Sequence, residues 1–197
     1  MHSPLQNRIT PGTRIAPIDL TAVSGARLTI PHPERLIHLQ FRRFAGCTVC
    51  DLHLSSFRRR HAEITRAGID EIVVFHSSAN QLAAYVSDLP FPLVADPDKR
   101  LYRQFGVERS PRALLDPRVW RFILLGVAQS LVRIIRGRQP IPPTVPEGGS
   151  MGLPADFLID SDGVVVACHY GAHAFDQWSV DDASSVATAR ESHSRGN

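Results

Sequence analysis

Residues 35–57 read RLIHLQFRRFAGCTVCDLHLSSF. The first seven are rich in apolar residues and read as a strand. The AGC at 45–47 then turns the chain into a helix predicted from about Cys47 to Arg66. In that helix Leu54, Phe57, His61 and Ile64 recur at spacings of three and four, forming one buried stripe, while Arg58, Arg59, Arg60 and Glu63 fall mostly outside it. Gly68 supplies the stop. The order is strand, cysteine-bearing turn, helix, with Cys47 and Cys50 at the helix start. Two cysteines so placed can be a redox pair, half a metal site, or two small core residues.

Working outward, EIVVFHSS (71–78) is a β-branched run suited to a buried parallel strand, and ANQLAAYVSDL (79–89) a helix. FPLVADP (91–97) is a further strand candidate, and DKRLYRQFGV (98–107) a short helix ending at Gly106. LPADFLIDSDGVVVACHYG (153–171) reads as two strands joined by a tight Asp-Gly turn. DQWSVDDASSVATAR (176–190) is a closing helix and 191–197 a frayed tail. This alternation predicts one α/β domain over residues 1–197, with a mainly parallel sheet that the terminal hairpin makes mixed. The pattern breaks over 111–152, which reads as an insertion: a basic amphipathic helix over 119–136, then the Pro/Gly-rich loop GRQPIPPTVPEGGSMG (137–152). On that helix Trp120, Ile123, Leu124, Val127, Leu131 and Ile134 form an apolar face opposite Arg118, Gln129, Arg133 and Arg136. Its bland role is to cover the sheet or the edge of a cleft; a homodimer or lipid-surface contact is the sharper one, because Val119 and Phe122 lie near the arginines.

Composition narrows the function classes. With 43% hydrophobic and 21% charged residues, 197 residues make an ordinary globular chain. The formal charge is only +3, and Lys99 is the sole lysine. A nucleic-acid footprint needs basic residues gathered on one face with aromatics or a reader motif among them, and at so mild a charge nucleic acid is not an expected partner. Arg58, Arg59 and Arg60 read as a solvated helix face. The N-terminal stretch has no apolar block of secretory type, and the cytoplasm is the expected compartment. The greasy run 119–135 is cut by Arg121 and Arg133 and is too short for a membrane span. In a reducing compartment three cysteines do not form a disulfide framework.

Taken together, the element order, GCTVC (46–50), the lead-in PGTRIAPIDLTAVSG (11–25) and LPADFLIDSDG (153–163) resemble the thioredoxin-like superfamily, and within it the peroxiredoxin-like AhpC/TSA (redoxin) group. The resemblance covers about residues 11–182. It implies a three-layer α/β/α sandwich, a reactive cysteine after the first buried strand, and a cis-proline facing it, with Pro154 as the candidate. Peroxiredoxins share Pro-x-x-x-Thr/Ser-x-x-Cys and a late arginine. Aligned on Cys50, this chain has Arg43 for the proline, Cys47 for the hydroxyl residue and Pro154 where the arginine would stand. The Gly-Cys-x-x-Cys form is similar to the branch containing prostamide and prostaglandin F synthase relatives, viewed as thiol-dependent reductases.

The resemblance implies a thiol-dependent oxidoreductase that reduces a peroxide, endoperoxide or disulfide through a Cys47/Cys50 dithiol–disulfide cycle. A thioredoxin-type or low-molecular-weight thiol would recycle it, and no cofactor is implied. A helix N-terminus favours thiolate over thiol, which makes Cys47 the expected nucleophile and Cys50 the resolving thiol. The peroxiredoxin alignment would reverse that order. The alternatives are a redox-sensing or binding module with little turnover, and a zinc-stabilised domain, for which Cys47 and Cys50 supply two of four ligands and His53, Cys168 or His169 would have to be recruited. Cys168, alternating with valines, and His61, on the apolar stripe, read as core or boundary residues.

Overall fold

Every residue of Leu36–Arg42 is buried. The strand they form is third in chain order (β3) and is the centre of the molecule. The computed structural model describes residues 8–86, 89–107, 124–125, 127–128, 131–132, 134–137, 149 and 151–194. On one side β3 pairs in parallel with β4 (Ile69–Phe75), which pairs in parallel with the short β5 (Leu93–Ala95). On the other it pairs antiparallel with β6 (Ala155–Ile159), Phe41 opposite Ala155, and β6 continues into β7 (Val165–Tyr170). The order β5-β4-β3-β6-β7 is therefore evenly mixed rather than mainly parallel. A separate antiparallel pair precedes the sheet: β1 (Ile18–Thr21), within the stretch read from sequence only as a lead-in, and β2 (Arg27–Ile30), just after it.

Strand alternation sends the side chains of β3 to two faces. Ile37, Leu39 and Phe41 pack with Ile72, Val74, Phe157 and Ile159 and with Leu101, Tyr102 and Phe105 at α4 (Arg100–Gln104). Phe41 meets the Tyr102 ring edge-on at 5.0 Å between centroids and Phe105 at 5.2 Å. Side chains buried this completely each contribute roughly 1.5–3 kcal/mol of transfer free energy. The opposite face is covered by α1 (Thr48–Arg59), α2 (His61–Arg66), α3 (Ala79–Tyr85) and α5 (Val180–Ser194), through Leu54, Phe57, Ile64, Leu82, Val180 and Ala187. Helices on both faces of one mixed sheet make the three-layer thioredoxin-like sandwich that the sequence predicts.

Several expectations need correction. The helix expected from Cys47 to Arg66 is two helices, broken at Arg60 (φ −106°, ψ 15°). There the guanidinium bonds Glu63 and reaches across to Asp181 of α5 at 2.6 Å. His61, read as a core or boundary residue, is half-buried and so sits at the boundary. The closing helix runs to Ser194, into the stretch expected to fray; residues 195–197 lie outside the described ones. Leu124, Val127 and Leu131, expected on the face covering the sheet, are exposed, since other elements already cover both sheet faces. Most of the 137–152 loop lies outside the described residues.

Candidate active site

The end of β3 and the start of α1 hold the two cysteines. Gly46 has φ 80°, a left-handed conformation that glycine adopts without strain, and it turns the chain so that Cys47 caps α1. Ala45 N–H donates to Ser77 Oγ at 2.9 Å, and His76 N–H to the Arg43 carbonyl at 3.2 Å, tying this loop to the end of β4. Cys47 has extended backbone (φ −67°, ψ 108°), and its sulfur accepts from the Cys50 N–H at 3.4 Å. Cysteine thus fills the position usually given to Ser, Thr, Asp or Asn.

Three donors converge on the Cys47 sulfur. Besides that N–H, the Cys50 thiol donates at 2.9 Å and Arg43 Nη1 at 3.6 Å. Burial pushes the Cys47 thiol up. Against that, the Cys50 thiol hydrogen bond, the Arg43 guanidinium and the backbone N–H groups of Cys50 and Val49 bring it from its ordinary value down to about 6. For Cys50, burial, the hydrogen bond it gives to Cys47 and the charge on that sulfur hold the thiol well above the ordinary value. One sulfur is poised as thiolate and its neighbour as thiol, both uncrosslinked. Both cysteines are buried, Cys47 at 4% exposure, although a helix-capping cysteine is expected to be the exposed one. Phe44 and Phe175 pack against the pair. The cleft beside it, bordered by Phe44, Asp51, Leu54, Phe75, Tyr85 and Val86, has room for about one water molecule (≈ 10 Å³).

Pro154 departs from expectation. Among the described residues the cis bond is Ile30–Pro31, so Leu153–Pro154 is trans. A trans proline fits here because it directly precedes β6, where no ladder N–H is required of it, and its carbonyl accepts from Gly171 N–H at 2.9 Å. Its ring fills the space left by Gly171, where a Cβ would fall 2.8 Å from Pro154 Cγ. The segment reaches the cysteines through Arg43: a Cβ on Gly152 would lie 3.9 Å from Arg43 Cγ and 3.1 Å from His76 Nε2. Cys168 packs on the Phe157 side of the sheet, across it from α1, with its thiol donating to the Ile9 carbonyl at 3.4 Å. His53 and His169 belong to separate contacts, with Arg42 and Asp176 respectively. Among the described residues no group of three or more His, Cys, Asp or Glu side chains is arranged to hold a metal.

Beneath α1 lies a polar cluster that the sequence reading does not reveal. Arg42, fully buried, donates to Asp156 Oδ1 at 2.7 Å and to Gln40 Oε1 at 2.5 Å. His38 Nε2 lies 3.2 Å from the same Asp156 oxygen, and its Nδ1 lies 2.9 and 3.0 Å from the two Glu71 oxygens. Gln40 also donates to Glu71, and Trp178 N–H to Asp156 at 3.1 Å. Burial acts against the charge on His38, but Glu71 and Asp156 prevail and raise it to about 9. Burial opposes the Asp156 charge too, and Arg42 and His38 hold that carboxyl well below the usual carboxylate range. Two positive and two negative groups thus balance inside the sheet layer. His53, one turn after Cys50, sits with Nε2 3.3 Å from Arg42; burial and that guanidinium keep it neutral. Arg43 stands out in the sequence only as the residue replacing a proline, and its contact with Cys47 has no local signature.

A thioredoxin-like sandwich with a thiol pair at the N-terminus of its first long helix defines the class. The profile described as AhpC/TSA antioxidant enzyme matches residues 56–173, more than half of the chain, and the protein belongs to that family. The match begins after both cysteines, at Ser56. Among solved structures the chain is similar to the peroxidoxin BcpB of Mycobacterium tuberculosis (17% identity, 92% of this chain, 98% of that one, TM-score 0.65). It is also similar to a reduced 2-Cys peroxiredoxin of Plasmodium vivax (13%, 95% and 84%, TM-score 0.66) and to peroxiredoxin Q of Xanthomonas campestris (18%, 89% and 91%, TM-score 0.58). These likenesses establish the peroxiredoxin fold. No curated protein matches the sequence significantly.

Proposed function

We propose that this protein is a thiol-dependent peroxide reductase working through Cys47 and Cys50, with Cys47 attacking first. The observation that carries the reading is the convergence of the Cys50 thiol, the Cys50 N–H and Arg43 on one sulfur. In the proposed cycle the Cys47 thiolate attacks the distal oxygen of a hydroperoxide. The O–O bond breaks, the alcohol leaves after taking one proton, and Cys47 becomes a sulfenic acid. Cys50 gives up its proton and attacks that sulfur, water departs, and a Cys47–Cys50 disulfide forms; two thiols of an external reductant restore the pair. A thioredoxin-type protein or a low-molecular-weight thiol is the proposed donor. Arg43 takes the electrostatic role that an arginine on the late strand has in the resembling family, from a different place in the chain.

The test is mass mapping after one equivalent of hydroperoxide. The wild type should show a Cys47–Cys50 disulfide, Cys50→Ser a sulfenic acid on Cys47, and Cys47→Ser no adduct. An adduct appearing on Cys50 in Cys47→Ser would reverse the order of attack. A second reading, a redox-sensing module with little turnover, draws support from the burial of both sulfurs beside so small a cleft. Oxidation that is stoichiometric but does not repeat in the presence of excess reductant would select it.

A further inference from the structure

Strand β4 is paired along only part of its outer edge. There β5 covers Val73–Phe75, with Val73 N–H donating to Pro92 O at 3.1 Å and Asp96 N–H to Phe75 O at 2.8 Å. In a parallel ladder alternate residues bond the same neighbour, so the main chain of Glu71 faces that edge too. Its carbonyl would take the next amide of the β5 line, at position 92, where proline has none. Beyond this break lies a slot of ≈ 330 Å³, one wall of which is β2, through Arg27 and Leu28. Glu71 has a fully buried side chain and so reaches the slot through its main chain. Leu28, Ile72 and Phe91 supply an apolar floor. The carboxylates at the slot are already engaged, Asp70 by Arg35 at 2.6 Å and Glu71 by His38 at 3.0 Å. The Arg27 guanidinium has no ion pair or hydrogen bond with a described residue, so the charge left unanswered there is positive. His61 Nδ1, on a lining residue, is buried and likewise makes no hydrogen bond with one.

We propose that this slot receives the extended C-terminal end of a partner polypeptide. The incoming main chain adds to the open edge of β4, giving the Glu71 carbonyl the N–H that Pro92 lacks. An apolar last side chain rests on Leu28, Ile72 and Phe91, and the terminal carboxylate pairs with Arg27. A small organic acid would use the arginine and the floor but leave the Glu71 carbonyl unanswered. A strand from the interior of a chain would use the edge but bring Arg27 no anion. The slot shares no lining residue with the cysteine cleft. It also lies toward the opposite end of the parallel strands β3 and β4, so occupancy is separate from the thiol chemistry.

The experiment is calorimetric titration of the full-length protein with the tripeptide acetyl-Ala-Val-Leu bearing a free carboxylate, with its C-terminal amide, and with hexanoate. Amide NMR follows each titration. The free acid should bind saturably and the amide about fivefold more weakly, the difference between a charge-assisted and a neutral hydrogen bond. Arg27→Gln, at an exposed position, should erase that preference. Thr65→Trp, which fills the slot from an exposed position on α2, should abolish binding of both peptides. The amide signal of Ile72, which shares a peptide plane with the Glu71 carbonyl, should move with the peptide and stay in place with hexanoate. Absence of saturable binding, equal affinity for acid and amide in the wild type, or an unmoved Ile72 signal would overturn the proposal. So would hexanoate binding as tightly as the peptide, which would assign the slot to small acids, or peptide binding that survives Thr65→Trp.

Discussion

The two faces of β3 are built from the same seven residues and could hardly differ more. Ile37, Leu39 and Phe41 join an aromatic core with Tyr102, Phe105 and Phe157, whereas His38, Gln40 and Arg42 join Glu71 and Asp156 in a network of charge. The first face gains stability from area removed from water. The second takes four ionisable groups out of water, and its balance depends on every partner staying in place. The costly face is the one beneath α1, the helix that carries the thiols. A thiolate held at about 6 needs fixed donors around it, and Arg43, the main cation at that sulfur, directly follows Arg42, whose side chain Asp156 and Gln40 pin. The contrast separates a surface that holds the fold from one that holds a geometry.

The largest effect should come from breaking the charged face on one side only. Asp156→Ala leaves Arg42 and His38 buried without their shared carboxylate and should cost about 3–5 kcal/mol in urea unfolding. Leu39→Ala, one residue from both His38 and Gln40 but on the apolar face, should cost about 2–5 kcal/mol through lost burial and a cavity, while leaving the pH dependence of stability intact. That pH dependence is itself a signature of the charged face. His38 is raised from 6.5 to about 9 on folding, so its contribution is fully present below about 6.5 and is lost as pH rises through 9. Asp156 is shifted the other way, and its contribution is present above the ordinary carboxylate range and lost on acidification. Melting temperatures measured across pH should therefore fall at both ends, and His38→Gln should flatten the alkaline side.

Smaller effects test the link to the sulfur. Arg43→Met should raise the Cys47 thiol from about 6 to about 7 and slow its alkylation near pH 6.5 about threefold, with little change at pH 9. An unchanged rate profile would remove Arg43 from the site. The smallest change is expected from Cys168→Ala, across the sheet. Disulfide formation between Cys47 and Cys50 should proceed as in the wild type, as measured by mass mapping.

How much of this is visible in the sequence depends on how local the cause is. The strand–turn–helix at 35–57 announces itself because hydrophobic period and Gly46 act within a few residues, and the cap position of Cys47 follows from it. The charged face does not. Arginine, histidine and aspartate ordinarily signal exposure, and what buries Arg42 is a partner 114 residues away. Pro154 misleads for a related reason: its neighbourhood resembles a cis-proline segment, but the ring's packing over Gly171 fixes its setting. The break at Arg60 has no local signature either; its guanidinium bridges Glu63 and, 121 residues on, Asp181. The pair β1 and β2 is short and polar enough to escape a periodicity reading.

The position of β6 between β3 and β7 has a consequence for the newborn chain. At synthesis rates of about 5–20 residues per second, Asp156 leaves the ribosome roughly 6–23 s after Arg42. Throughout that interval β3 lacks one neighbour, and Cys47 and Cys50 belong to a half-built sheet. Stalled chains ending before residue 155 should therefore expose both thiols to a maleimide within seconds, while the released full-length protein protects Cys50. Maturation of the thiol pair waits on the β6 segment, and oxidants present before it is made meet a different, less guarded chemistry from those met by the folded protein.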